Sequence, residues 1–152
     1  MAKSLPFIDP TRIVMLGFSR DGMMTYLAIK HGAEIKAATV VGSVTDLGQL
    51  YDDRDEGMRN VIWELVGINK KEWVERSAYY WAENIDVPIL ILHGEDDWRV
   101  KVSQAKKLAE RLKELGKVHE LVVFPEGDHG LNSHRAERNQ KIFDWFEIYL
   151  NR

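Results

Sequence analysis

The stretch Arg12-Ile-Val-Met-Leu-Gly-Phe-Ser-Arg-Asp-Gly-Met-Met-Thr-Tyr-Leu-Ala-Ile-Lys30 decides how this chain is read. A short apolar run, Ile13 to Leu16, ends in Gly17-Phe-Ser-Arg-Asp-Gly22. The spacing then becomes helical at once, with Met23, Met24, Leu27 and Ala28 recurring on one side. This pattern predicts a buried strand, a sharp turn and a helix, with Ser19 at the apex. Such a turn lifts the Ser19 hydroxyl clear of a sheet. It also aims the helix N-terminus at it, where free N–H groups hold developing negative charge. A Gly-x-Ser motif alone is a weak signal, so its meaning depends on the rest of the chain.

Working outward, the same alternation recurs. The first strand is expected at about Arg12 to Gly17, and the first helix from Arg20 to His31, stopping near Gly32. Ile35 to Val41 reads as a second strand that ends in Gly42-Ser43. The run Val87-Pro-Ile-Leu-Ile-Leu-His93 reads as a third, buried on both faces as in a parallel sheet. A helix from about Ser103 to Leu115 follows, then a strand over His119 to Phe124. A last helix, His134 to Leu150, carries too many apolar residues for one stripe and is expected to pack on two sides. Strand–helix alternation predicts a parallel sheet of about four strands with right-handed crossovers. Residues 1–11 read as an extended lead-in, since Pro6 and Pro10 discourage helix.

Residues 46–84 break the alternation. Asp46 is placed to cap a short helix, and two more are expected at about Met58 to Val66 and Lys70 to Arg76. The acidic run Tyr51 to Glu56 lacks the ligand spacing of a calcium loop and reads as a solvated segment. Trp63, Trp73 and Tyr79-Tyr80-Trp81 make the region aromatic, as core packing or as a wall over a substrate pocket.

Length and composition narrow the class. A chain of 152 residues is expected to form a single domain, 1–152, with its own core. There is no Cys, which excludes disulfides, thiolate metal sites and a Cys nucleophile. A net charge of −3 suggests neither a nucleic-acid partner nor a membrane surface. No apolar run approaches transmembrane length, and the start is too short and polar for a signal peptide, so a cytoplasmic protein is expected. Neither a cofactor nor a metal is expected. The first turn lacks Gly-x-Gly-x-x-Gly and no phosphate-binding loop occurs, which disfavours a nucleotide-binding sheet.

Open parallel sheets place ligands at the carboxyl ends of their strands. Ser19 follows the first strand, Asp96 and Asp97 the third, and Asp128 and His129 the fourth. A serine hydrolase needs a hydroxyl, an imidazole to take its proton, and a carboxylate to fix the imidazole tautomer. The order Ser, acid, His is that of α/β hydrolases.

Three stretches stand out: Gly17-Phe-Ser-Arg-Asp-Gly-Met-Met-Thr-Tyr-Leu-Ala28, His93-Gly-Glu-Asp-Asp-Trp-Arg-Val100 and Gly127-Asp-His-Gly-Leu131. In them the chain resembles the carboxyl-terminal half of the catalytic domain of the prolyl oligopeptidase family of α/β hydrolases. Tyr80 to Leu90 also looks like the family's lead into the acid-bearing strand. The resemblance implies Ser19 as nucleophile, His129 as general base and Asp97, followed by Trp-Arg-Val, as the orienting acid. It further implies the Arg20 N–H as one oxyanion donor. The fold implied is a truncated, minimal α/β hydrolase. Two departures stand out. Asp21 occupies a place where the family usually has Gly, and it is expected to point away along the helix. The family's amino-terminal strands and propeller have no counterpart, and with them goes the usual second oxyanion donor. A partner subunit, the Arg20 side chain or Gly42-Ser43 are its candidate replacements.

Without those strands the first strand becomes an edge, and most helices fall on one sheet face. A homodimer or larger assembly through that edge or bare face is therefore expected. The reading that follows is a carboxylesterase-like serine hydrolase acting on small esters through an acyl-enzyme. The alternative is a weak or inactive hydrolase half that acts as a self-associating or complementing module.

Overall fold

The computed structural model describes residues 8–151. Four strands form one sheet: β1 (Val14–Phe18), β2 (Ala37–Val41), β3 (Ile89–Gly94) and β4 (His119–Phe124). All neighbours are parallel, in the order β1-β2-β3-β4. Each crossover moves one strand along in the same direction. Right-handed connections then put the intervening helices on a single face.

That face carries α1 (Arg20–Lys30), a 3-10 helix (Ala78–Asn84) and α5 (Val102–Glu114). Tyr26 and Ile29, Trp81 and Ile85, and Leu108 and Leu112 pack there on Ala38, Val40, Ile89 and Ile91. Among the described residues the one helix on the opposite face is α6 (Arg135–Leu150), whose Ile142 and Trp145 cover Ala37, Val41, Leu90 and Leu92 together with Leu131. Strands β2 and β3 are buried along their whole length, as their unbroken apolar runs require.

The irregular region folds as three short helices, α2 (Leu47–Asp52), α3 (Glu56–Val66) and α4 (Lys70–Arg76). The carboxylates of Asp46 and Asp55 accept the N–H groups of Gln49 (3.1 Å) and Met58 (2.9 Å), capping α2 and α3. Asn69 caps α4 through the Lys71 N–H. These helices close over a third apolar cluster built from Met23, Val44, Leu47, Ile62, Trp73 and Val100.

Two expectations change. The last helix packs along one stripe only, for Phe143 is 69% exposed and Ile148 45%. One sheet face is all that α6 meets, and no second layer lies beyond it among the described residues. The 3-10 helix was not legible, because it lacks helical spacing. A kink at Trp81 turns that side chain into the core while Tyr80 stays exposed. The lead-in expected over residues 1–11 lies outside the described residues up to residue 7. Beyond it, Asp9 to Arg12 form a turn in which the Asp9 carboxylate accepts from Thr11.

Strand β1 pairs only with β2, so its outer edge is unpaired among the described residues. Leu16 (53% exposed) and Phe18 (43%) lie on the α6 side of the sheet, beyond the reach of that helix.

Candidate active site

Ser19 sits between β1 and α1 with φ 55° and ψ −117°. A non-glycine residue in this region costs about 1–3 kcal/mol and is held only by its surroundings. Here the Ser19 N–H donates to the Val41 carbonyl (2.8 Å), and the Ser19 carbonyl accepts from Gly22 (3.1 Å) and Met23 (3.4 Å). The close approaches fall on two glycines. A Cβ at Gly17 would collide with Thr25 Oγ1 and the Asp21 carbonyl, and one at Gly22 with Ser43 Oγ. Asp21 itself is exposed on the outer side of α1. Its side chain therefore does not crowd the turn.

His129 arrives on the loop after β4. Its Nε2 is 2.8 Å from Ser19 Oγ, and its Nδ1 is 2.7 Å from Asp97 Oδ2. The structure thus brings Ser19, His129 and Asp97 into one hydrogen-bonded chain. Asp96 and Asp128, the neighbouring carboxylates, are not part of it. Asp96 is exposed, and Asp128 is spent on Asn132 within its own loop.

Asp97 is 4% exposed. Its Oδ1 accepts the N–H groups of Arg99 (2.8 Å) and Val100 (3.0 Å). Burial pushes its carboxyl up, but the hydrogen bonds from His129, His93 and the Val100 N–H outweigh this and hold it well below the usual carboxylate range. The ionised carboxylate only accepts, so His129 Nδ1 carries the proton. That leaves Nε2 free to accept from the Ser19 hydroxyl.

Sequence reasoning gave no role to His93, which is fully buried. Its Nε2 lies 2.7 Å from the Val100 carbonyl and 3.3 Å from Asp97 Oδ2. Both are acceptors, so Nε2 carries the proton, and Nδ1 has no hydrogen-bond partner among the described residues. The signal was its place at the end of β3, four residues before Asp97. Phe18 was also missed; its ring lies 5.1 Å from that of His129.

The two loops meet at a glycine. A Cβ at Gly94 would sit against the Gly127 and Asp128 carbonyls, and the Asp96 N–H donates to the Gly127 carbonyl at 3.0 Å. Gly94 thereby sets the distance between the Asp97 and His129 loops.

For the oxyanion, the Arg20 N–H opens α1 and has no intrahelical carbonyl to meet. The Gly42 N–H is spent on Leu92 (2.9 Å), and Ser43 is buried under Gly22.

A cavity of about 470 Å³ opens beside Ser19 and His129. One wall is aliphatic, from Met58, Val61, Ile62 and Leu65 of α3 with Met23 and Met24 of α1. Gln104 and Ser77 hold the cap in place: Gln104 Oε1 accepts from Thr45 and Asp46, and Ser77 Oγ accepts from Leu47. The aromatic residues, read as core packing or as a pocket wall, divide between the two kinds of place. Trp81 is in the core, whereas Tyr51, Trp63, Trp73 and Tyr80 line a separate cavity of about 400 Å³. The acidic run supplies a cap (Asp55) and an ion pair (Asp53 with Lys101, 2.6 Å). Among the described residues no group of three or more His, Asp or Glu is placed to hold a metal ion. No helix among them is long and apolar enough to cross a membrane.

The sequence model of the prolyl oligopeptidase family matches residues 1–152. The chain belongs to the prolyl oligopeptidase family. This is a serine hydrolase family, and the parallel sheet with alternating helices is that of its α/β-hydrolase peptidases. The chain is 34% identical to the uncharacterized peptidase YuxL of Bacillus subtilis, over 95% of this chain and 23% of that protein. It is 26% identical to dipeptidyl-peptidase 5 of Porphyromonas gingivalis, over 99% of this chain and 23% of the relative. In structure it resembles the acylaminoacyl peptidase of Pyrococcus horikoshii, with a TM-score of 0.87 and 26% identity. That match covers 97% of this chain and 25% of the other. The chain thus spans about a quarter of the length of these family members.

Proposed function

We propose that this chain hydrolyses acyl compounds through Ser19, His129 and Asp97. Ser19 Oγ attacks the carbonyl carbon while its proton passes to His129 Nε2. The Arg20 N–H faces the developing oxyanion, and Asp97 holds the imidazole and stabilises its charged form. His129 then gives the proton to the departing alcohol or amine, leaving an acyl group on Ser19. Water, deprotonated by His129, releases the acid and restores the serine. The observation that carries this reading is the continuous pair of 2.8 and 2.7 Å contacts through one imidazole.

Small esters are the bonds this site would cleave most readily, because their leaving groups need the least help. Relatives named as peptidases favour amide bonds as well. A backbone donor such as the Arg20 N–H at the oxyanion is worth on the order of 10²–10³ in turnover. The test is turnover of p-nitrophenyl acetate and of short peptide p-nitroanilides by wild type, Ser19→Ala, His129→Ala and Asp97→Asn. Loss in Ser19→Ala and His129→Ala supports the reading. Activity that survives Ser19→Ala refutes it.

The exposed Leu16 and Phe18 on an unpaired edge strand favour a second feature, self-association through β1 of a second copy. Sedimentation velocity over a dilution series tests it. A species larger than the monomer that Leu16→Lys dissociates is expected, and a monomer at every concentration rules it out.

A further inference from the structure

The cavity beside Ser19 has an electrostatic character opposite to that of the chain. Asp and Glu outnumber Lys and Arg by 24 to 21 overall. Yet Arg20, Arg54, Arg76 and Arg99 line this cavity, and no carboxylate does among the described residues. The nearby acids are committed elsewhere. Asp53 pairs with Lys101, Asp55 caps α3, and Asp97 is buried and saturated. Asp21 is exposed and does not line the cavity. Arg76 also borders a groove lined by Glu72 and Glu75, so the case rests on the other three arginines.

Two of those three are brought together. Arg54 and Arg99 each lie 5.2 Å from the ring of Trp98, which is 68% exposed at the cavity. Arg54 is braced by the Arg99 carbonyl at 3.2 Å. Like charges gathered round one cavity, with no carboxylate lining it among the described residues, carry an unfavourable mutual repulsion. An anion at this place relieves it, and guanidinium groups match a carboxylate closely.

We propose that the cavity takes substrates that combine an apolar group with a carboxylate: the aliphatic wall of α3 holds the first, and Arg20, Arg54 and Arg99 hold the second. This rests on the reading of Ser19 as the nucleophile next to that cavity. It narrows the substrate class from acyl compounds in general to anionic ones.

The test separates binding from catalysis. Wild-type protein is titrated at low ionic strength with hexanoate and with neutral hexanamide, reading tryptophan fluorescence, to which Trp98 contributes from the cavity. Hexanoate is expected to bind at least about tenfold more tightly, and salt at about 0.5 M should erase most of that preference. Arg99→Gln, whose side chain makes no hydrogen bond that holds the fold, should lose much of it, and Arg54→Gln/Arg99→Gln nearly all. Equal binding of the two probes overturns the proposal, as does a preference for hexanoate that neither salt nor Arg99→Gln reduces. A preference for hexanoate in a protein whose Ser19 proves inert would instead strike the hydrolase reading alone. Turnover of a mono-p-nitrophenyl dicarboxylate against its methyl ester then carries the comparison to the reaction, where the anionic ester is expected to have the higher kcat/KM.

Discussion

Replacing Gly94 by Ala tests whether the spacing of two loops governs activity. The added Cβ would sit 2.5 Å from the Asp128 carbonyl oxygen and closer still to that of Gly127, where real Cβ contacts stay above 3.0 Å. The backbone before His129 must therefore retreat by about 0.5 Å or more, on a scale where 1 Å of misplacement costs about 10²-fold in rate. Two contacts absorb that shift, the 2.7 Å one to Asp97 and the 2.8 Å one to Ser19. Both would stretch toward the weak end of hydrogen bonding. The expected result is a fall in kcat of roughly 10- to 100-fold with KM changed much less, and a loss of about 1–3 kcal/mol in stability from overpacking. The assay is p-nitrophenyl acetate turnover well below the melting temperature, beside a denaturant melt of the same protein. A Gly94→Ala protein that is destabilised but keeps wild-type kcat would refute the argument that Gly94 sets the loop distance.

His93→Leu should lower kcat by about tenfold and stability by about 1–3 kcal/mol, since it leaves the Val100 carbonyl unpaired and frees one side of Asp97. His93→Gln, which keeps an N–H donor, should recover part of both, and steady-state kinetics with urea melts would show it. Asp97→Asn should reduce kcat on the order of 10⁴, by removing the acceptor that fixes the His129 tautomer. Because the Asp97 carboxyl is held low in the folded chain, its stabilisation is complete above the unfolded value of about 3.9 and is lost as pH falls through the folded value. The stability gap between wild type and Asp97→Asn should thus stay level above about pH 5 and narrow below about pH 4. A gap that instead widens in acid would mean that Asp97 is not held ionised.

The strand–helix alternation was legible because buried parallel strands leave unbroken apolar runs. Ile89 to Leu92 could hardly be read otherwise, and the observed β3 and β4 fall within two residues of their expected bounds. The meeting of Ser19, Asp97 and His129 was legible because each follows a strand at the carboxyl end of the sheet, and the family resemblance carried by Trp-Arg-Val pointed to Asp97 rather than Asp96. What was illegible depends on three-dimensional neighbours. His93 reads as the last apolar-flanked residue of a strand, and only its distance to Asp97 gives it a role. Asp21 was expected to point away along the helix and is exposed there; what one dimension did not show is that Gly17 and Gly22 take the tight points of the turn. The arginine-lined cavity joins residues from α1, the α2–α3 turn, α4 and the loop after β3, which no local pattern connects. The last helix misled because apolar content does not say how many surfaces are present to bury it.

The most direct measurement is covalent labelling with a fluorophosphonate, with the modified residue located by peptide mapping, in wild type beside Ser19→Ala and His129→Ala. The account predicts a single adduct on Ser19, formed in wild type, absent in Ser19→Ala and strongly slowed in His129→Ala. A folded wild-type protein that takes up no label, or takes it up at a residue other than Ser19, would contradict it.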